Sequence, residues 1–242
     1  MATVMMARWI SWAAGRYGLV VALLASAAAI MLYPGGTLLD ESTRGYSFTH
    51  NFVSDLGSTV AFNYAHNAAG ALLFAAGFII GAFVLACSLI GVVRLLSTTP
   101  GARLFVRLAA AGGVLVCLGF LGVALAPLDR AFQLHHVSSL VAIHSFPVAT
   151  ALLAFATARD RRFRARATLG WITLTFVLVG VLVVGHLGPS TATERGLMTQ
   201  VITQKIMVAT VLVVLWLESL EAEAVQGKDM TGTSSGARGS LR

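Results

Sequence analysis

Long apolar runs, broken by short polar stretches, recur along almost the whole chain. The first reads YGLVVALLASAAAIMLY over 17–33 and stops at Pro34-Gly35-Gly36. Apolar runs of about 18 or more residues cross a bilayer as helices and are too long for strands. Six such spans are predicted, near 17–33, 64–92, 108–127, 136–157, 168–187 and 199–217. The second is longer than a bilayer requires, so it tilts or projects beyond the lipid. The pattern therefore predicts an all-α polytopic membrane protein, a bundle of six transmembrane helices in a single domain over 1–223. The remainder, 224–242, is rich in Gly, Ser and Thr and predicts a disordered cytoplasmic tail. Residues 1–27 also have the basic start, apolar middle and Ala25-Ser26-Ala27 site of a signal peptide. The apolar run continues past that site to Tyr33, which favours a retained first span.

Charge adds orientation. Of 17 Lys and Arg, 13 fall in the N-terminal segment, the 2–3 loop, the 4–5 loop and the tail. Arg159, Arg161, Arg162, Arg164 and Arg166 crowd the 4–5 loop. By the positive-inside rule these segments are cytoplasmic, so both termini are expected inside a cell membrane. The net charge of +7 then reflects topology and contact with anionic membrane lipids, and nucleic acid is excluded as a partner. Cys87 and Cys117 both lie in apolar spans at different depths and imply no disulfide framework.

The polar residues collect on the other side. In the first outer loop, FTHNFVSDLGS (48–58) gathers His50, Asn51, Ser54 and Asp55 among apolar residues. A short outer-face helix or lid is expected there. Phe48, Phe52 and Leu56 would carry Asp55 inward, where burial opposes its charge unless a cation or donor compensates. Capping of a short helix by Ser54 or Asp55 is the plainer alternative. Asn63, His66 and Asn67 are placed on one face of span 2 by i, i+3, i+4 spacing. Asp129 and Arg130 occupy the second outer loop, His135 and His136 open span 4, and His144 sits about 12 Å deeper. About 80° separates His136 from His144 in projection, which makes His136 the expected partner of the two adjacent histidines. His186 closes span 5, Glu194 and Arg195 lie in the third outer loop, and Gln200 and Gln204 share a face of span 6 beside Lys205. All six histidines thus map to the outer half, and one outward-facing polar cavity is expected. Interhelical hydrogen bonds, interfacial histidines and a snorkelling Lys205 remain the ordinary readings of the same residues.

These pieces resemble a known family. PGG at 34–36, YSFTHNFVSDLGS at 46–58, NYAHNAAGALLF at 63–74, GVALAPLD at 122–129 with HH at 135–136, and TERGLMTQVITQKI at 193–206 are similar to the prokaryotic "domain of unknown function 998" membrane proteins. The resemblance implies a six-helix integral membrane protein and carries no activity with it. A remoter similarity is to the ceramidase and progestin-receptor superfamily, membrane hydrolases that combine Ser, Asp and three His around zinc. Ser54, Asp55 and several histidines are available here, but span 6 has Gln200 and Gln204 where those proteins carry H-x-x-x-H.

Three functions compete. The first is an enzyme acting on a lipid or envelope intermediate at the outer leaflet. Asp55, His66, His136 and His144 would supply acid–base chemistry, and Arg44, Asn67, Arg130, Arg195, Gln200, Gln204 and Lys205 would hold the substrate. A zinc site is the associated metal expectation, drawn from His50, His66, His136, His144, His186 and Asp55. The second is a transporter or ligand-binding protein using the same cavity. The third is a structural or accessory subunit that assembles with a membrane partner or with itself.

Overall fold

The computed structural model describes the backbone of residues 2–239 and the side chains of residues 12–228. Six helices follow in order: α1 Ala2–Leu32, α2 Ala68–Leu96, α3 Arg103–Leu125, α4 Phe132–Arg159, α5 Ala165–Leu187 and α6 Glu194–Gly239. All six are long and apolar enough to cross a membrane. Leu24, Met31, Phe83, Phe176 and Leu187 stand exposed on them. In water such apolar surface would be a liability; against lipid tails it is matched.

Each helix packs against its neighbours in sequence, and α6 returns to α1 and α2. The α3–α4 contact is made by small residues. A Cβ added at Gly119 would lie 2.7 Å from the Ser138 carbonyl oxygen, so glycine there lets the two backbones approach. The main core holds Trp12, Leu96, Val116, Phe146, Trp171 and Leu178.

The connections divide between two ends. The 2–3 and 4–5 loops form an arginine-rich end. The long 33–67 segment, with the 3–4 and 5–6 loops, forms the opposite, lid end. There Val53–Gly57 makes one 3-10 turn. A second, smaller core of Tyr33, Leu56, Ala61, Phe74 and Val123 sits beneath it. The turn lies directly on α2: a Cβ at Gly57 would meet the Phe74 ring at 2.6 Å. Leu56 is fully buried, a contact worth about 1.5–3 kcal/mol. The expected lid is therefore present. Phe48, expected to pack inward with it, is instead 62% exposed.

Two further expectations shift. Helix α2 starts at Ala68. Asn63, His66 and Asn67 therefore share no helix face; 61–66 is a tight turn with Tyr64 at φ 64 and a bridge between Val60 and His66. Tyr64 N–H closes on the Ala61 carbonyl and Ala61 N–H on Ala65, so this backbone has spent its bonds on the turn. At the other end, α6 continues past residue 223, where a disordered tail was expected to begin. Val225 is fully buried and the Trp12 indole N–H donates to Gln226 Oε1 at 3.0 Å, so packing against α1 overrides the local composition.

Candidate functional site

The lid is held by side chains that satisfy its backbone. Asn51, fully buried, accepts from Ser47 N–H at 2.8 Å and donates to the Gly36 carbonyl at 2.9 Å. Asn67 donates to the carbonyls of Leu56 (3.1 Å) and Ser58 (2.9 Å). Asp129, from the 3–4 loop, accepts from Thr59 N–H at 2.8 Å and from the Thr59 hydroxyl at 2.6 Å. Partial burial works against its charge, but the Thr59 and Val60 donors outweigh it and hold its carboxyl below the usual range. Arg130 Nε donates to the same Thr59 hydroxyl at 2.8 Å.

Beneath this scaffold a charged centre forms. Asp55 is 2% exposed and accepts from Phe52 N–H at 2.8 Å and Asn51 Nδ2 at 3.3 Å. The first bond is one half of a capping box, so the capping and inward-facing readings of Asp55 are both realised. Burial pushes its carboxyl up to about 7, against the pull of Asn51, the Phe52 N–H and, at longer range, Lys205. Lys205 Nζ donates to the Asn51 carbonyl at 2.6 Å. The same ammonium lies 5.2 Å from the Tyr46 ring centroid and 5.0 Å from that of Phe48, both cation–π distances. Gln204 Oε1 accepts from Val53 N–H at 2.7 Å, tying the 3-10 turn to α6. Tyr33 and Tyr46 complete the floor, their rings edge to face at 5.9 Å. Burial and then the Asp55 charge push the Tyr33 phenol up to about 12; the same causes, with Tyr33 added, push Tyr46 up.

The histidines do not join this centre. His66 is exposed. His136 is exposed and stacks on Phe132, centroids 5.7 Å apart. Of the adjacent pair it is His135 that turns inward, 5% exposed, its Nδ1–H donating to the Ala126 carbonyl at 2.8 Å. That carbonyl ends α3, so His135 caps a helix. His144 and His186 meet at 3.1 Å between Nε2 atoms on the exposed faces of α4 and α5. His144 Nδ1 lies 2.8 Å from the Leu140 carbonyl and must donate there, which leaves its Nε2 to accept from His186. His50 contacts Thr49 Oγ1 at 2.8 Å and lies 3.9 Å from exposed Glu194.

Among the described residues no three His, Cys, Asp or Glu are grouped to hold a metal ion. Zinc usually requires four ligands on one centre, so these residues do not fit the expected site. Arg44 and Arg195 are exposed, and Gln200 donates to the Pro189 carbonyl at 2.9 Å. Of the expected substrate-holding set, Gln204 and Lys205 reach the buried centre, while Asn67 and Arg130 hold the lid.

The arginine-rich end holds groups that span prediction passed over. Asp160 accepts from Thr99 Oγ1 at 2.6 Å and from Arg162 Nη2 at 2.7 Å, clamping the 2–3 and 4–5 loops together. Arg166 pairs with Glu221 at 2.6 Å and Arg16 with Glu223 at 2.8 Å. Three of the ten acidic residues fall within 218–223, a concentration legible in the sequence but placed beyond the expected end of span 6.

The family model described as "Protein of unknown function (DUF998)" matches residues 27–217. No curated protein and no solved structure matches the chain.

Proposed function

The chain belongs to the DUF998 family of membrane proteins of unknown function, and from that premise we propose that it binds the anionic headgroup of an amphiphile beneath a movable lid. The observation that carries this reading is the covering of Lys205. A lysine ammonium has three donors. Here one donor reaches the Asn51 carbonyl, and the rest of the charge is faced by two aromatic rings and a nearby Asp55. One of those rings, Phe48, stands in the open. Swinging Phe48 aside exposes a preorganised cation without unfolding a helix. An incoming phosphate or carboxylate replaces the ring as its partner. Asp55 titrates near neutrality, so it can take up a proton and yield Lys205 to the ligand.

The enzyme reading loses support because His66, His136 and His144 stand apart from Asp55. The arginine distribution supports an orientation with the arginine-rich end in the cytoplasm and the lid outside the cell membrane.

The test is lipid mass spectrometry on full-length protein purified in mild detergent. Wild type should retain an anionic lipid, Lys205→Gln should lose it, and Arg195→Gln should keep it. Phe48→Ala should retain the lipid but exchange it faster with added phosphatidylglycerol. Equal anionic lipid on wild type and Lys205→Gln, or none on wild type, overturns the reading.

A further inference from the structure

A second cavity lies inside the bundle, toward the arginine-rich end and apart from the lid. Its volume is about 30 Å³, and its walls include Trp12, Ser88, Thr150, Trp171, Glu218 and Ser219. A site needs roughly 10–15 Å³ of such space to hold one water. Glu218 and Trp171 are 3% and 4% exposed. Glu218 Oε2 and Trp171 Nε1 are both buried, and neither makes a well-formed hydrogen bond. The indole N–H lies close enough to attract the Glu218 carboxyl, and both groups border one small void. Each such group costs about 1–3 kcal/mol unless something fills its valence.

Gly170 makes the arrangement possible. A Cβ there would stand 2.9 Å from Glu218 Oε1, so the missing side chain lets the carboxyl lie against α5. The neighbouring acids are accounted for: Glu221 by Arg166 and the Arg164 N–H, Glu223 by Arg16. Arg16 also donates to Ser219 at 3.4 Å. Among the charged groups around Glu218, then, α1 offers Arg16, α5 offers Arg166, and α6 offers Glu221 and Glu223, each already engaged. On α2 and α4 the cavity walls carry Ser88 and Thr150, and on α3 only apolar or glycine positions.

We propose that this cavity is an intramembrane proton-binding site, in which one water bridges Trp171 Nε1–H and the Glu218 carboxyl. The chemistry selects the occupant. A carboxyl alone would suit a proton or a metal cation. The indole N–H is a donor only, so it repels a cation and accepts water as a partner. With the acid protonated, its O–H donates to the water oxygen; with the acid ionised, the water turns and donates to Oε2. The proton thus enters and leaves without breaking the Arg–Glu pairs beside it.

Dicyclohexylcarbodiimide tests this, because it enters apolar sites and reacts with protonated carboxyl groups. Full-length wild-type protein in lipid nanodiscs is treated across a pH series, and each acidic peptide is quantified by mass spectrometry. The adduct should concentrate on Glu218 over Glu221 and Glu223. Above the titration midpoint it should fall about tenfold per pH unit. Glu218→Gln should abolish it, and Glu221→Gln should leave it in place. In parallel, the pH dependence of indole fluorescence should vanish in both Trp171→Phe and Glu218→Gln. Equal labelling of the three glutamates, no label on Glu218, or a fluorescence titration that survives Glu218→Gln overturns the proposal.

Discussion

Asp55→Asn should flatten the pH dependence of stability instead of simply weakening the fold. The carboxyl has an ordinary value of 3.8 and titrates at about 7 when folded. For an acid raised on folding, the folded state binds more protons than the unfolded state between those values. Stability therefore falls as pH rises. The contribution is complete below the unfolded value and is gone above about 7. At about 1.4 kcal/mol per pH unit over roughly three units, it amounts to about 4 kcal/mol. Asp55 is almost wholly buried, so solvent screening does not reduce this much. Asparagine has nearly the same shape, can accept from Phe52 N–H through its oxygen, and does not titrate. The stability of wild type relative to Asp55→Asn should therefore fall by about 4 kcal/mol from about pH 4 to about pH 8. For a chain of this size that is about 8–16 °C in thermal midpoint. Thermal unfolding in detergent, followed by tryptophan fluorescence, measures it, and groups common to both chains cancel in the difference. Asp40→Asn is the control, since Asp40 is exposed and the Ser42 hydroxyl and N–H hold its carboxyl low. Parallel wild-type and Asp55→Asn curves across the range would refute the buried-acid account.

Two further outcomes follow from the same geometry. Asn67→Ala removes both donors that satisfy the Leu56 and Ser58 carbonyls, at about 1–3 kcal/mol for each group left unpaired; hydrogen exchange should accelerate across 51–60 and stay unchanged in α3. For orientation, the exposed positions 192 and 161 mark the two ends, so in a chain with both native cysteines replaced, Ala192→Cys should label from outside intact cells and Arg161→Cys only after permeabilisation; the reverse pattern overturns the charge-based assignment.

What the sequence disclosed, and what it hid, divides by the range of the interaction. Six spans were legible because a bilayer demands long apolar runs, a local property. The lid was legible because polar groups and phenylalanines stood together in FTHNFVSDLGS. Its internal wiring was not, because Asn51 works through bonds to Gly36 and to Lys205, 15 and 154 residues away. The choice between His135 and His136 depended on where α4 begins and what it faces, and adjacency alone gives no phase. Asn63 and His66 fitted a helical repeat that the turn at Tyr64 breaks. The Glu221 and Glu223 pairs were invisible because the partner of one is on α5 and that of the other, Arg16, lies 207 residues back.

The two ends also differ in what fixes them, and the difference bears on where the molecule can open. At the arginine-rich end, α6 is tied to α1 by Arg16–Glu223 and to α5 by Arg166–Glu221, and the loops are tied by Asp160. The two Arg–Glu ties each join one helix to another, and moving α1, α5 or α6 would strand a carboxylate that is buried or nearly so. The lid is tied differently. Val53 N–H to Gln204, the Asn51 carbonyl to Lys205, and Thr59 to Asp129 join a loop to side chains of α6 and to another loop. Bonds of this kind contribute about 0.5–1.5 kcal/mol when neutral and about 1.5–3 when one partner is charged, and water or a ligand oxygen can replace them as the segment lifts. The apolar part of the lid rests mainly on Leu56 against Phe74, at the far edge of the 3-10 turn from Phe48. A ligand reaching Lys205 would therefore displace Phe48 first and leave Leu56 seated. On the proposed reading Phe48 is the part that moves, while Asn51, Asp55 and Leu56, all buried, stay in place.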